Sequence, residues 1–287
     1  MAYDPQQPPE DKKNLLAVIA HSFFVVPFIL AVFSVLLFCA VRLLTMEKHS
    51  AYDYLSDVQE GGATKRWQSA FELSRLLANK AEIPKEEKFI TDLSNAFEKS
   101  RTDDERVYQY LSLAMARTGD QRFTDVLIKN IDKEKSENLY AIISALGILA
   151  DSKAVDVLLP YLKDDSERIR LVTVIALGQI GDTKAIEALK DRLTDAQINI
   201  AWDAAIALAK MGDRSGKDLI LNMLSREYLN GFTAIDAQEQ TKIIAVTIQA
   251  VSGWNDADIN AILKKLFESD KNMNIRDLAN KALKNNP

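Results

Sequence analysis

Cysteine and histidine are nearly absent from this chain of 287 residues. Cys39 is its single cysteine, and His21 and His49 are its two histidines. All three precede residue 50, so the rest of the chain has no thiol or imidazole for a disulfide, a thiolate nucleophile or a Cys/His metal site. We therefore expect neither a metal nor a cofactor in the folded domain. The scarcity of thiols also favours an oxidising compartment, where a stray cysteine is a liability.

An excess of positive charge is also lacking. The chain has 36 lysines and arginines against 41 acidic residues, a net charge of -5, and the first 45 residues carry three charges of each sign. A protein that wraps a nucleic-acid duplex carries a basic stripe, so we do not expect a nucleic-acid partner. No nucleophile stands in a pattern with a base, and we therefore expect a protein that is not an enzyme.

One long apolar run stands near the N-terminus. The residues from Leu15 to Leu44 are almost all apolar, and Phe23 to Val41 contains no charge. A helix that rises about 1.5 Å per residue crosses the hydrocarbon core of a membrane over this length. A cleaved signal peptide is the competing interpretation, but it needs a shorter apolar region and a small-x-small cleavage site. We predict a disordered tail over 1–13 and a transmembrane helix over 14–45.

The orientation of this helix depends on the basic residues that flank it. Lys12 and Lys13 precede the apolar run, while Arg42 and Lys48 mark its other end, so the count is tied. A short N-terminal segment with two lysines ordinarily stays in the cytoplasm. We therefore expect a single-pass protein of the plasma (inner) membrane whose C-terminal domain is extracytoplasmic.

After the apolar run, a corner made of a small residue and an aspartate recurs every 31 residues. The corners are Gly119-Asp120, Ala150-Asp151, Gly181-Asp182 and Gly212-Asp213. A fixed period of this size indicates stacked supersecondary units, and the apolar residues between the corners recur at helical spacing. We predict an all-α fold, an α-solenoid of helical hairpins over 65–287, with a linker helix over 46–64 between it and the transmembrane helix.

The residue types at the corners and between them have a physical reason. A glycine ends one helix, and the aspartate that follows it can cap the next. Small residues within the helices allow neighbouring helices to approach closely. They are Ala145, Gly147, Ala176, Gly178, Ala207 and Ala209.

The repeat ERIRLVTVIALGQIGD shows an arginine, an Ala-Leu-Gly run and a Gly-Asp corner, here Arg170, residues 176–178 and Gly181-Asp182. In these features the chain resembles the HEAT-repeat proteins, in the short bacterial form that also occurs in phycobilisome-lyase-like HEAT proteins. The resemblance implies an α-solenoid, and it raises attachment of a bilin as one possible activity. Some HEAT proteins are di-iron hydroxylases, but these need several His-Glu pairs that this domain lacks.

Alignment of the repeats on their corners brings apolar side chains into two columns. In many HEAT units these positions are charged and face the concave surface, whereas here they form an apolar groove. A contiguous apolar strip usually marks a binding site, so we predict that a protein partner binds there. The alternative is that the helical phase differs slightly and these residues belong to the core. The predicted groove residues are Leu113, Tyr140, Leu171, Ile175, Trp202 and Ile206.

One repeat is longer than the others. The corner after Asp213 is Asn255-Asp256, which lies 43 residues on rather than 31, with the additional residues around 226–237. Insertions in solenoids emerge as loops at one edge, often the binding edge. We expect Tyr228, Leu229 and Phe232 to be exposed there as further contacts, the alternative being ordinary variation in repeat length.

Two functions remain open at this point. The preferred hypothesis is a membrane-anchored scaffold or accessory subunit of a membrane protein complex, with integral membrane subunits as partners. The alternative is a lyase-like or chaperone-like HEAT protein that holds a hydrophobic ligand, chromophore or lipid in the groove.

Overall fold

The computed structural model describes residues 21–45, 49–131 and 136–286, and within these ranges the chain is helical without a β-strand. The chain divides into two compact units between His49 and Ser50. The tail predicted over 1–13 and the first residues of the predicted transmembrane helix lie outside the described residues.

The first unit contains one long apolar helix. A π-helical turn, His21–Val25, leads into helix α1 (Val26–Thr45). Pro27 is the second residue of α1 and directly follows the π-helical turn and Val26. The stretch Phe23–Val41 has a mean hydropathy of 2.9, and all of its side chains are exposed. By length and composition this helix can cross a membrane, and a signal sequence meets the same criterion.

The second unit begins with helices α2 (Ala51–Glu60) and α3 (Ala63–Leu76), which pack against each other. Ser50 caps α2: its hydroxyl accepts the N–H of Asp53, and the Asp53 carboxylate accepts the N–H of Ser50 at 2.8 Å. Leu55 and Val58 of α2 are buried in the core. The helix that we expected as a linker within 46–64 is therefore a part of the solenoid, because α3 and the next helix cover its apolar face.

The following helices form two layers. In the first layer α3, α5, α7, α9, α11, α14 and α16 pack side by side in this order, and the second layer contains the others. The predicted all-α repeat solenoid is thereby confirmed. The helices are α4 (Glu87–Lys99), α5 (Glu105–Thr118), α6 (Arg122–Lys129), α7 (Ser136–Leu149), α8 (Val155–Leu158), α9 (Glu167–Ile180), α10 (Ile186–Lys190), α11 (Ile198–Lys210), α12 (Lys217–Met223), α13 (Arg226–Leu229), α14 (Ala237–Ala250), α15 (Ala257–Ser269) and α16 (Met273–Asn285).

The corners have the conformation that their residues predict. Gly181 has a φ of 71°, in the left-handed region that favours glycine, and Gly119 and Gly212 lie in the same region. The Asp182 carboxylate accepts the N–H of Lys184 at 2.9 Å. The aspartates at the other three corners accept the backbone N–H two residues on in the same way. Each corner therefore ends one helix and starts the turn into the next element.

Small residues set the distance between neighbouring first-layer helices. A Cβ atom added to Gly147 would lie 2.7 Å from the Cα atom of Ala176, and one added to Gly178 would lie 2.7 Å from the Cβ atom of Ala207. The backbones of α7, α9 and α11 thus approach as closely as the small residues predict. The buried apolar residues form two clusters, which meet in α11.

Candidate partner-binding face and cleft

The apolar columns predicted from the repeats lie on one face of α5, α7, α9 and α11, which we call the open face. Ile175 of α9 is 40% exposed. Leu113, Leu171 and Ile206 are half-buried, and Leu171 and Ile206 pack partly against the core. The open face therefore offers apolar surface on α5, α9 and α11, and Ile175 on α9 is the most accessible of these side chains.

Tyr140 of α7 interrupts this apolar surface. The guanidinium of Arg168 lies 4.2 Å from the centre of its ring, within the range of a cation–π contact. Arg168 also forms an ion pair with Glu137, which holds it in place. The expectation of a purely apolar groove is therefore wrong at Tyr140, since a charged group covers one side of its ring.

Trp202 of α11 is covered by the insertion. It is only 6% exposed, and its ring packs edge-on against Phe232, with the ring centres 5.1 Å apart. Tyr228 packs against Phe232, and Leu229 is fully buried in the second core cluster. The expectations that Trp202 lines an open groove and that Leu229 is exposed are thus wrong. Burial of these aromatic rings on one another is more favourable than their exposure to water.

An ion pair fixes the insertion to the end of the solenoid. Nε of Arg226 donates to Oδ2 of Asp270 at 2.6 Å and its Nη2 donates to Oδ1 at 2.9 Å, a bidentate pair with both side chains largely buried. Burial opposes ionisation of Asp270, but the hydrogen bonds from Arg226 and from the N–H of Asn272 outweigh it and lower the pKa of this carboxyl. The insertion is therefore tied to α11 by its aromatic rings and to the segment before α16 by this ion pair, and it is not a free loop.

A cleft of about 560 Å³ opens between α11 and α14, which approach each other less closely than α9 and α11 do. The insertion closes one side of it. Ile198 on α11 and Val246 on α14 are 37% and 40% exposed, so large apolar side chains meet solvent here. The apolar lining consists of Ile198, Trp202, Ile206, Met223, Phe232, Ala234, Ile235, Ile243 and Val246.

The polar groups of the cleft are Asn199, Asp203, Glu239 and Lys242. Burial raises the pKa of Asp203 to about 6, and only the positive charge of Lys210 opposes this rise. No hydrogen-bond donor of the described residues reaches its carboxylate. Across residues 21–45, 49–131 and 136–286, no three histidine, cysteine or acidic side chains converge to hold a metal ion.

Sequence reasoning missed Asp203, although a signal was present. Val172 lies 31 residues before Asp203, at the equivalent position of the preceding repeat. Val246 lies 43 residues after Asp203, at the equivalent position after the longer repeat. An aspartate where both neighbouring repeats carry valine marks a polar group at an apolar position. A comparison of the columns for charge as well as for hydrophobicity would have found it.

The two layers of paired helices and the regular corners define an α-helical repeat protein. The family model of HEAT repeats matches residues 92–172 and 155–228, so this part of the chain contains HEAT repeats. Among solved structures, the complex of CpcE and CpcF of phycocyanin lyase from Nostoc sp. is similar in fold. It has a TM-score of 0.57 and 17% sequence identity, covering 83% of this chain and 97% of that chain.

A second solved structure is that of the archaeal HEAT-like repeats protein from Thermococcus onnurineus. It has a TM-score of 0.45 and 14% identity, covering 83% of this chain and 97% of that chain. No curated protein sequence gives a significant match. At 17% identity the phycocyanin lyase structure shows a likeness of fold alone, and the function is argued from the site itself.

Proposed function

We propose that this chain is a non-catalytic, membrane-anchored scaffold or accessory subunit that binds a protein partner through its open face. The observation that carries the proposal is Ile175, which is 40% exposed beside the half-buried Leu171 and near Ile206 of the next helix. The core does not require an isoleucine at an exposed position. An exposed isoleucine beside half-buried apolar side chains of the same and the next repeat gives an accessible apolar strip, and repeat solenoids use such extended surfaces for binding.

The first unit supports the membrane part of the proposal. Phe23–Val41 is 19 residues long and apolar throughout, with none of its side chains buried in the protein. In the proposal it spans the plasma (inner) membrane once and packs against integral membrane subunits, with the solenoid on the extracytoplasmic side. The two lysines at positions 12 and 13 favour this orientation.

A second candidate function rests on the cleft. Its volume of about 560 Å³ lies within the range of small-molecule sites, roughly 300 to 1,000 Å³, and its lining is mostly apolar. A hydrophobic ligand, chromophore or lipid held there would make the chain a lyase-like or chaperone-like protein. The phycocyanin lyase structure shares the fold alone, so this candidate depends on the cleft.

The substitution Ile175→Glu tests the preferred function. We expect the tagged full-length variant, extracted in mild detergent, to retain roughly tenfold less partner polypeptide than the unchanged chain, since it places a charge in the contact. Its thermal unfolding should change little, because exposed positions tolerate substitution within about 0.5 kcal/mol.

The matched control is Phe267→Glu. Phe267 is 41% exposed on α15, in the second layer, and its variant should retain the partner. Equal retention by both variants would show that the open face is not the contact. A chain that purifies without a polypeptide but with an extractable lipid or pigment would favour the second candidate.

A further inference from the structure

Asp203 is a carboxylate without a partner in an apolar cleft. Asp203 is half-buried and shares the cleft with isoleucine, valine and aromatic side chains from α11, α14 and the insertion, and no donor of the described residues pairs with it. Burial of an unpaired carboxylate opposes folding. The equivalent positions of the neighbouring repeats hold Val172 and Val246, so the repeat packing itself does not require an acid.

The charges around Asp203 leave the cleft acidic. Glu239 and Lys242 stand on α14 at the cleft, both exposed and both without an ion pair among the described residues. On α11 itself, Lys210 is the cation that acts on Asp203, and it is exposed about two turns away. Two carboxylates therefore face one ammonium group within the cleft, which favours a ligand that carries a positive charge.

The cleft also continues into the open face. Ile206 lines the cleft and lies 31 residues after Ile175, so these two isoleucines occupy equivalent positions on the adjacent helices α11 and α9. An extended peptide can contact both, whereas a small molecule enclosed by the cleft cannot. Continuity between the cleft and the open face favours a polypeptide as the occupant.

We infer that the cleft between α11 and α14 binds a segment of the protein partner in which a lysine or arginine is flanked by apolar residues. This inference rests on the proposed function and names the chemistry of its partner. The cation pairs with Asp203. This ion pair replaces the hydration that the carboxylate loses through burial. The flanking apolar side chains cover Ile198 and Val246, which are exposed in the free protein.

Selection from a phage-displayed library of random twelve-residue peptides on the full-length chain in detergent tests the inference. We expect the selected peptides to share a lysine or arginine between apolar residues. Replacement of that residue by uncharged citrulline or norleucine should weaken binding roughly tenfold, and Asp203→Asn should do the same. The two changes together should cost no more than either alone, because both remove the same pair.

Binding should also depend on pH through Asp203. Protonation of this carboxyl, whose pKa is raised to about 6 in the free protein, removes the charge, so binding by the unchanged chain should weaken from about pH 7.5 to about pH 5. The Asp203→Asn variant should not show this loss. Asp191→Asn is the matched control, because it removes an exposed carboxylate of the preceding repeat that does not line the cleft, and it should retain the affinity.

The inference fails if no peptide is selected, if the selected peptides lack a basic residue, or if they bind the Asp203→Asn variant equally well. Its failure is distinguishable from that of the proposed function. Loss of the native partner with Ile175→Glu but full retention with Asp203→Asn would leave the open face as the contact and remove the role of the cleft.

Discussion

At the scale of single residues, Asp203 opposes the stability of the folded chain at neutral pH. Its pKa is about 6 in the folded state against an ordinary value of 3.8, so the folded state binds its proton more tightly than the unfolded state does. The resulting loss of stability is complete above about pH 6, shrinks as the pH falls towards 4, and vanishes below that. A carboxylate retained at such a cost is typical of a site used for binding.

We therefore predict that Asp203→Asn stabilises the protein at neutral pH. The free energy of unfolding in urea should rise by about 1 to 3 kcal/mol at about pH 7.5, and the gain should largely disappear at about pH 4. Asp191→Asn, a change at an exposed aspartate of the preceding repeat, serves as the control and should give no such pattern. A gain that is the same at all pH values would show that the charge on Asp203 does not oppose folding.

The residues of the open face could be predicted from the sequence only where the repeat is regular. Ile175 and Ile206 follow from the 31-residue period, and the structure places both at least partly at the surface. Trp202 occupies an equivalent column, but the insertion covers it, and the alignment of corners carries no information on where an insertion folds. Asp203 was missed because a single charge in a helix is usually solvated.

At the scale of helices, close approach in the first layer depends on Gly147 and Gly178. An added Cβ at Gly178 would meet the Cβ atom of Ala207, which is a side-chain atom, whereas one at Gly147 would meet the Cα atom of Ala176, which belongs to the backbone. A clash with a side-chain atom can be removed by a second substitution. A clash with the backbone requires that the helices separate.

This difference predicts the outcome of paired substitutions. Gly178→Ala should lower the free energy of unfolding by about 1 kcal/mol or more, because overpacking outweighs the gain in helix propensity. Ala207→Gly in the same chain should recover part of that loss, a favourable coupling that a double-mutant cycle measures. Ala176→Gly should recover a smaller share of the free energy of unfolding that Gly147→Ala removes. Additive effects for the Gly178 pair would mean that α9 and α11 are not in close contact.

The boundaries of the elements were less predictable than their existence. The corners are specified locally, by a glycine with positive φ and an aspartate that caps the next turn, and the sequence shows both. The position of α2 depends on tertiary packing, since its apolar face is buried only where α3 and α4 cover it. The position of the insertion likewise depends on Arg226 reaching Asp270, 44 residues away along the chain.

At the scale of the whole molecule, the 31-residue period determined the architecture and left the function open. The period requires stacked helical pairs, because one pair cannot bury its apolar face alone. The HEAT-repeat pattern describes how such pairs pack, and packing residues say nothing about the molecule that is bound. What distinguishes this solenoid is its combination of an apolar helix near the N-terminus, an apolar open face and an acidic, mostly apolar cleft.

The proposed function requires that the open face contacts a protein partner at the membrane, and site-specific photo-crosslinking can detect that contact. A photoreactive p-benzoylphenylalanine placed at position 175 of the full-length chain should, on irradiation of intact membranes, form a discrete adduct with one or a few polypeptides. The same residue at position 267, equally exposed in the second layer, should form none of these adducts. Adducts at position 175 with lipid alone, or identical adducts from both positions, would contradict the claim.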